Sequence, residues 1–139
     1  MRSVLLDAGA LIALFASDDR HHARFYRLVK DVSRDGLQLL TTWPCVVEAS
    51  HLLDVPMRFE MLRWIEAGGA LAYGFEASDL GEMIPCLETY TKRGGREMDL
   101  ADASLYWLAT ETGVHSIMTT DVADFSRYRQ PGGRRFQLL

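Results

Sequence analysis

The residues of this sequence best placed to do chemistry are carboxylates at the ends of apolar segments. Asp99 and Asp102 open the stretch MDLADASLYW (98–107), one turn apart at the head of a segment that otherwise reads as a buried helix. Asp7 closes the apolar run SVLLD, Asp121 follows SIMTT, and Glu48 stands within WPCVVEASHLL. Asp is a poor helix-interior residue and is seldom fully buried without a partner. Taken singly, these positions have a structural explanation. Asp7, Asp99 and Asp121 suit helix caps and Asp102 a first turn, where the positive helix N-terminus favours a carboxylate. Taken together they have a chemical one. Carboxylates converging in one cleft repel, which raises their pKa values or calls for a cation, and oxygen-rich sites hold hard ions such as Mg²⁺ or Mn²⁺. Glu48 fits the structural explanation worst. Leu52 lies one turn later on the same face, and a helix burying that face draws the carboxylate toward the core.

Such a site requires elements that bring distant segments together. SVLLD (3–7) reads as a strand and AGALIALFAS (8–17) as a helix. In RHHARFYRLVKDVSRDG (20–36), Phe25, Leu28, Val29 and Val32 recur at helical spacing, and LQLLTT (37–42) reads as a second strand. Pro44 fits the first turn of a helix running to Asp54, and MRFEMLRWIEAGG (57–69) is a further amphipathic helix. ALAYGF (70–75) is a third strand. A helix starts at Ser78 within ASDLGEMIPCLETYTKRGG (77–95), with Pro85 as a possible kink. SIMTT (116–120) is a fourth strand and RRFQLL (134–139) a candidate fifth. Strands alternating with helices predict an α/β domain with a mainly parallel sheet. Ligands in such sheets gather at the carboxyl ends of the strands, where Asp7 and Asp121 stand.

Composition narrows the alternatives. A chain of 139 residues, 48% hydrophobic and 24% charged, predicts a single folded domain over residues 1–139 and argues against disorder. The apolar runs are too short to cross a bilayer, and Asp7 interrupts the leader-like start, so the expectation is a cytoplasmic protein with no membrane association. Cys45 and Cys86 lack metal-ligand spacing and make no disulfide framework. The net charge of −4 argues against a general nucleic-acid coat but leaves local basic patches, with Arg20, Arg24, Arg93, Arg96, Arg127 and Arg129 as candidates. Arginine suits phosphate through bidentate geometry. EASH (48–51) has the Glu-x-x-His spacing of di-iron bundles, but such bundles need a second copy and the strands contradict one. His51 therefore reads as a partly buried, hydrogen-bonded histidine; His21, His22 and His115 also lack ligand spacing. A phosphotransfer receiver would end its second or third strand in Asp and place a lysine near TTDVADF, and neither is present.

The motifs LLDAGALIALF, VVEASHLL, MDLADASLYWLA and TTDVADFSRYR resemble, in order and spacing, those of PIN-domain ribonucleases, especially the VapC-type toxins of bacterial toxin–antitoxin pairs. The resemblance runs from Leu5 to about Leu138. It implies a three-layer α/β/α PIN-like domain with a mainly parallel sheet of four to five strands, and a Mg²⁺- or Mn²⁺-dependent endoribonuclease hydrolysing RNA phosphodiester bonds. By this resemblance Asp7, Glu48, Asp102 and Asp121 match the acidic metal-binding and catalytic positions. Asp99 and Asp124 match frequently acidic positions that orient waters or ligands from behind; for Asp99 this is compatible with capping. Many members carry Ser or Thr two residues after the first Asp, where this chain has Gly9, which leaves Thr119 or Thr120 to supply a hydroxyl. Arg96 and Arg127, near the metal motifs, are the candidate RNA contacts. The implied partners are a small antitoxin and a second copy in a homodimer. The helices over 20–36 and 57–67, with Phe25 and Trp64, either cover such a partner or pack on their own sheet. The alternative is a PIN-like module that binds RNA or protein without catalysis, against which the full acidic set argues.

Overall fold

In the computed structural model, which describes residues 2–92 and 96–139, the apolar runs become short strands separated by helices. The candidate Arg93 lies outside the described residues. The strands are β1 (Ser3–Leu6), β2 (Gln38–Thr42), β3 (Leu71–Tyr73), β4 (Ser116–Met118), β5 (Arg129–Gln130), β6 (Arg134–Arg135) and β7 (Gln137–Leu138). The helices are α1 (Ala8–Phe15), α2 (His22–Arg34), α3 (Trp43–Leu52), α4 (Val55–Glu66), α5 (Leu80–Lys92), α6 (Leu100–Thr112) and α7 (Val122–Arg127). Five strands pair in the order β3-β2-β1-β4-β7, all parallel, while β5 and β6 form a separate antiparallel hairpin. Leu5 is in register with both Leu40 and Ile117, and Leu6 with Met118, so the centre of the sheet is apolar on both faces, as a covered parallel sheet requires. α1 packs against α2, α3 and α4, and α5 packs against α6, which lies on β2. This is the expected three-layer α/β/α arrangement.

Small residues let α1 approach the sheet: Ala8, Ala10 and Ala13 are buried with Leu11 and Leu14. A polar seam then ties the end of β2 to its neighbours. Thr41 Oγ1 donates to the Leu6 carbonyl at 2.8 Å, and Thr42 Oγ1 shares a 2.6 Å hydrogen bond with Ser104 Oγ on α6. The head of α6 is thereby fixed above the centre of the sheet. From β1 the chain steps outward through β2 to β3, then returns to place β4 and β7 on the other side of β1. The strand order reverses between β1 and β4, which is where a crevice opens in sheets of this kind.

Two expectations change, and one open alternative is decided. The segment 134–139 is two strands, because buried Phe136 turns inward to meet Phe125 edge-on at 5.3 Å, separating β6 from β7. The helix expected from Ser78 begins with a 3-10 turn (Ala77–Asp79) closed by a reciprocal Glu76–Asp79 capping box, and α5 continues through Pro85. Phe25 is fully buried and Trp64 packs edge-on against Phe15 at 5.4 Å, so these two face their own core. Exposed apolar side chains instead cluster on α3 and α4: Trp43, Val47, Leu52, Val55, Phe59 and Leu62. Among the described residues no helix is long and apolar enough to cross a membrane. Leu5 is wholly inaccessible at the centre of the sheet. Leu5→Ala is expected to destabilise the fold by about 2–5 kcal/mol, read as a lowered denaturant midpoint at unchanged slope.

Candidate active site

An Asp placed just before a helix spends one oxygen on an amide of the first turn. Asp7 Oδ1 accepts from Ala10 N at 2.8 Å, Asp99 Oδ1 from Asp102 N at 2.8 Å, and Asp121 Oδ1 from Asp124 N at 3.4 Å. The capping explanation therefore holds for all three. Because Asp7 follows β1 and Asp121 follows adjacent β4, the caps of α1 and α7 meet at the crevice, and the head of α6 brings Asp102 to them.

Thr119 joins two of these carboxylates. Its Oγ1 donates to Asp7 Oδ2 and accepts from Asp121 N at 2.8 Å. Asp102 Oδ2 accepts from the Tyr128 hydroxyl at 2.7 Å. Carboxylate oxygens of Asp102, Asp121 and Asp124 lie within 4.8 Å of one another. Asp7 is 5% exposed beside them. Burial pushes the Asp7 carboxyl up to about 6; Thr119 and the Ala10 amide pull it back, while Asp121 and Glu48 add to the rise. Burial pushes Asp102 up to about 7, opposed by the Tyr128 bond and reinforced by Asp99, Asp7 and Asp121. Asp121 also rises, through burial and then Asp124. Asp124 behaves oppositely. Burial raises it, but bonds with Asp121 and Arg127 and the charges of Arg127 and Arg96 hold it below the usual range. Arg127 Nε lies 3.2 Å and Arg96 3.7 Å from Asp124 Oδ1.

The structure thus brings Asp102, Asp121 and Asp124 into one cluster with Asp7 alongside. Asp124, expected behind the site, is part of the cluster. Glu48 stays outside that cluster, half-buried on α3, its pKa raised by burial and by Asp99. Together with Asp99 it lines a groove of about 1330 Å³, whose apolar wall includes Trp43, Val47, Leu52, Leu62 and Leu100. His51, expected to be partly buried, is an exposed residue of the same groove. Thr120 accounts for Gly9: a Cβ at position 9 would overlap Thr120 Oγ1, at a point 3.5 Å from Asp7 Oδ1. The hydroxyl expected two residues after Asp7 and the hydroxyl of Thr120 thus compete for one space. Arg96 is exposed, whereas the Arg127 guanidinium also donates to the Tyr90 carbonyl at 3.0 Å and lies 5.7 and 5.3 Å from the Tyr90 and Tyr128 ring centres. Sequence reasoning missed Tyr128, which stands 26 residues from Asp102; the one available signal is that a buried tyrosine needs a partner for its hydroxyl.

A divalent metal fits this donor set. The ligating atoms are all carboxylate oxygens, and the cations that hold Asp124 leave the other three carboxylates raised by burial. That is the environment of a hard ion of the Mg²⁺ or Mn²⁺ kind.

No protein-family model matches the sequence, and no curated protein matches it either. Solved structures do match in fold. The Mycobacterium tuberculosis toxin VapC20, described as cleaving the sarcin–ricin loop, superposes with a TM-score of 0.71 at 14% identity, over 87% of this chain and 93% of that one. VapBC2 from Rickettsia felis, solved bound to a DNA fragment from its promoter, gives 0.68 at 11% identity, over 99% and 97%. FitAcB from Neisseria gonorrhoeae gives 0.54 at 18% identity, over 88% and 90%. The chain therefore has a PIN-like fold.

Two outcomes follow from this geometry. Tyr128→Phe removes a bond that fixes Asp102, and is expected to weaken Mn²⁺ binding by about 10–100-fold in calorimetric titration. Lower thermal stability with unchanged Mn²⁺ affinity would limit Tyr128 to packing. The Asp7 carboxyl is raised above its unfolded value of 3.8 to about 6. The stability it contributes is complete below the unfolded value and is lost as pH rises through the folded one. Metal-free protein is expected to lose ~3 kcal/mol from this group between roughly pH 4 and 7. Asp7→Asn should flatten that part of the stability–pH curve in EDTA, and curves of identical shape would refute the assignment.

Proposed function

We propose that this chain is a metal-dependent endoribonuclease that hydrolyses RNA phosphodiester bonds, acting as the toxin of a toxin–antitoxin pair. The observation that carries the proposal is the convergence of Asp7, Asp102, Asp121 and Asp124 where the strand order reverses, on a fold shared with solved toxins. Asp7, Asp102 and Asp121 would hold a Mg²⁺ or Mn²⁺ ion, with Asp124 beside them and Glu48 reaching the site from its groove side. Such an ion supplies charge neutralisation at the phosphate and makes water acidic enough to attack at neutral pH.

The chain's own groups do the positioning. Thr119 fixes one oxygen of Asp7 while receiving the Asp121 amide, so the two carboxylates keep one relative orientation. Tyr128 does the same for Asp102, and Arg127 with Arg96 keeps Asp124 ionised. The Thr120 hydroxyl, lodged beside Asp7, is placed to orient water at the mouth of the site. Exposed Arg96 is the better placed of the two candidate RNA contacts, since Arg127 is engaged with protein groups. The antitoxin assignment draws on the likeness to VapBC2 and on the exposed apolar groove beside Glu48 and Asp99, which offers a protein partner an apolar seat.

Purified protein is expected to cleave labelled RNA with Mn²⁺ or Mg²⁺, to lose that activity in EDTA and to regain it when Mn²⁺ is restored. Asp7→Asn and Asp102→Asn should each lower the rate by at least about 100-fold, the upper end of what losing an orienting partner costs. RNA binding without cleavage under all these conditions would replace the enzyme with the non-catalytic binding module.

A further inference from the structure

Gly9 occupies the second position of α1, where the backbone is helical and no positive φ calls for glycine. Glycine within a helix is disfavoured relative to alanine, because it loses more freedom on folding and packs nothing. Space explains the choice. A Cβ at residue 9 would overlap Thr120 Oγ1 and stand 3.4 Å from Thr120 Cβ. The helix is bare at this point so that a threonine from the segment after β4 can lie against it.

Thr119 and Thr120 are adjacent but differently employed. Thr119 is 2% exposed, and its hydroxyl is spent on both sides, donating to Asp7 Oδ2 and accepting from Asp121 N. Thr120 is half-buried, and among the described residues its hydroxyl bonds no protein group. The space a residue-9 Cβ would fill lies 3.5 Å from Asp7 Oδ1, the oxygen that accepts from Ala10 N. A carboxylate oxygen has two lone pairs, so Asp7 Oδ1 keeps capacity for a second bond. Neighbouring polar groups that make no direct bond are joined through water. A bare helix position, an unspent hydroxyl and a carboxylate oxygen with capacity left therefore meet at one point of the crevice.

We infer that residues 9 and 120 share a single hydroxyl position, which Thr120 fills, and that this hydroxyl holds a water on Asp7 Oδ1 and so fixes the face Asp7 turns to a divalent ion. The inference deepens the metal-dependent reading and rests on it. Thr120 is a positioning residue, acting through that water and Asp7. Two side chains cannot occupy the space together, so the hydroxyl can come from the segment after β4 or from α1, but not from both.

The test is calorimetric titration of metal-free protein with Mn²⁺, alongside thermal unfolding in EDTA. Thr120→Val keeps the branched shape without the hydroxyl. It is expected to weaken Mn²⁺ binding about tenfold, as losing a group that orients a ligand does, at an unchanged unfolding midpoint. Thr120→Ser returns the hydroxyl and should return the affinity. Gly9→Ala evicts the hydroxyl from the helix side and should lower both the midpoint and the affinity. Gly9→Ala with Thr120→Ala removes the overlap and should recover the midpoint but not the affinity. Gly9→Ser with Thr120→Ala supplies the hydroxyl from α1 and should recover both. Unchanged affinity in Thr120→Val would overturn the inference, as would a Thr120→Ser variant as weak as Thr120→Val. It would also be overturned if Gly9→Ser with Thr120→Ala bound Mn²⁺ no better than Gly9→Ala with Thr120→Ala. Wild-type protein that takes no Mn²⁺ would remove the metal reading and this inference together. Wild-type protein that binds Mn²⁺ with the expected pattern across the variants, yet leaves RNA intact, would fail the nuclease reading alone.

Discussion

The Asp7 carboxylate sits at 5% exposure at the end of the central strand, with the charges of Asp121 and Glu48 raising its pKa further. Burying a carboxylate without a counter-charge is costly, and it persists only where hydrogen bonds hold it or a cation joins it. Much of the local architecture serves that requirement. The Ala10 amide and the Thr119 hydroxyl occupy one oxygen each. The sheet order puts Asp121 next door, and the Thr42–Ser104 bond anchors the helix that carries Asp102.

Capping and metal binding look like rival explanations in the sequence and are compatible in the fold, where the capping carboxylates converge. A cap fixes one carboxylate oxygen on a helix amide and leaves further lone pairs toward the crevice. It also brings the positive end of the helix to the carboxylate, which stabilises charge modestly. At Asp7 and Asp121 that help does not overcome burial, since both pKa values remain raised. The arginines are distributed accordingly. Arg127 and Arg96 pair with Asp124, while among the described residues Asp7, Asp102 and Asp121 pair with none. Three carboxylates thus have no arginine or lysine partner among the described residues, while the fourth is held by two arginines.

The fold was legible in the sequence wherever periodicity and strand ends agreed. The four main strands, the parallel sheet and the acidic strand ends follow from runs such as SVLLD and SIMTT. What the sequence hides is side-chain reach. Tyr128 acts on Asp102 across 26 residues, and only the packing of Tyr90, Phe125 and Arg127 around its ring explains why its hydroxyl arrives there. Gly9 was visible as a departure, but its reason lies in Thr120, a neighbour through the sheet and not along the chain. Phe25 and Trp64 marked amphipathic helices correctly without revealing that the exposed apolar face belongs to α3 and α4. A helical pattern says that a helix has an apolar side, not whether that side is covered.

Net charge misleads for a related reason, because it averages over surfaces that a ligand meets one at a time. The acidic groups converge at the β1–β4 crevice, while the charged residues of the hairpin that begins one residue beyond Tyr128 are all arginines. In water such opposite patches would attract if the chain allowed it. Here the tyrosine bonds to the Arg129 main chain keep the hairpin where it is, and Arg127 on the hairpin's flank reaches an acidic group. Fixed separation of charge of this kind shapes local fields of opposite sign, acidic at the head of α6 and basic toward its other end, where Gln130 of the hairpin bonds Tyr106 and Thr110.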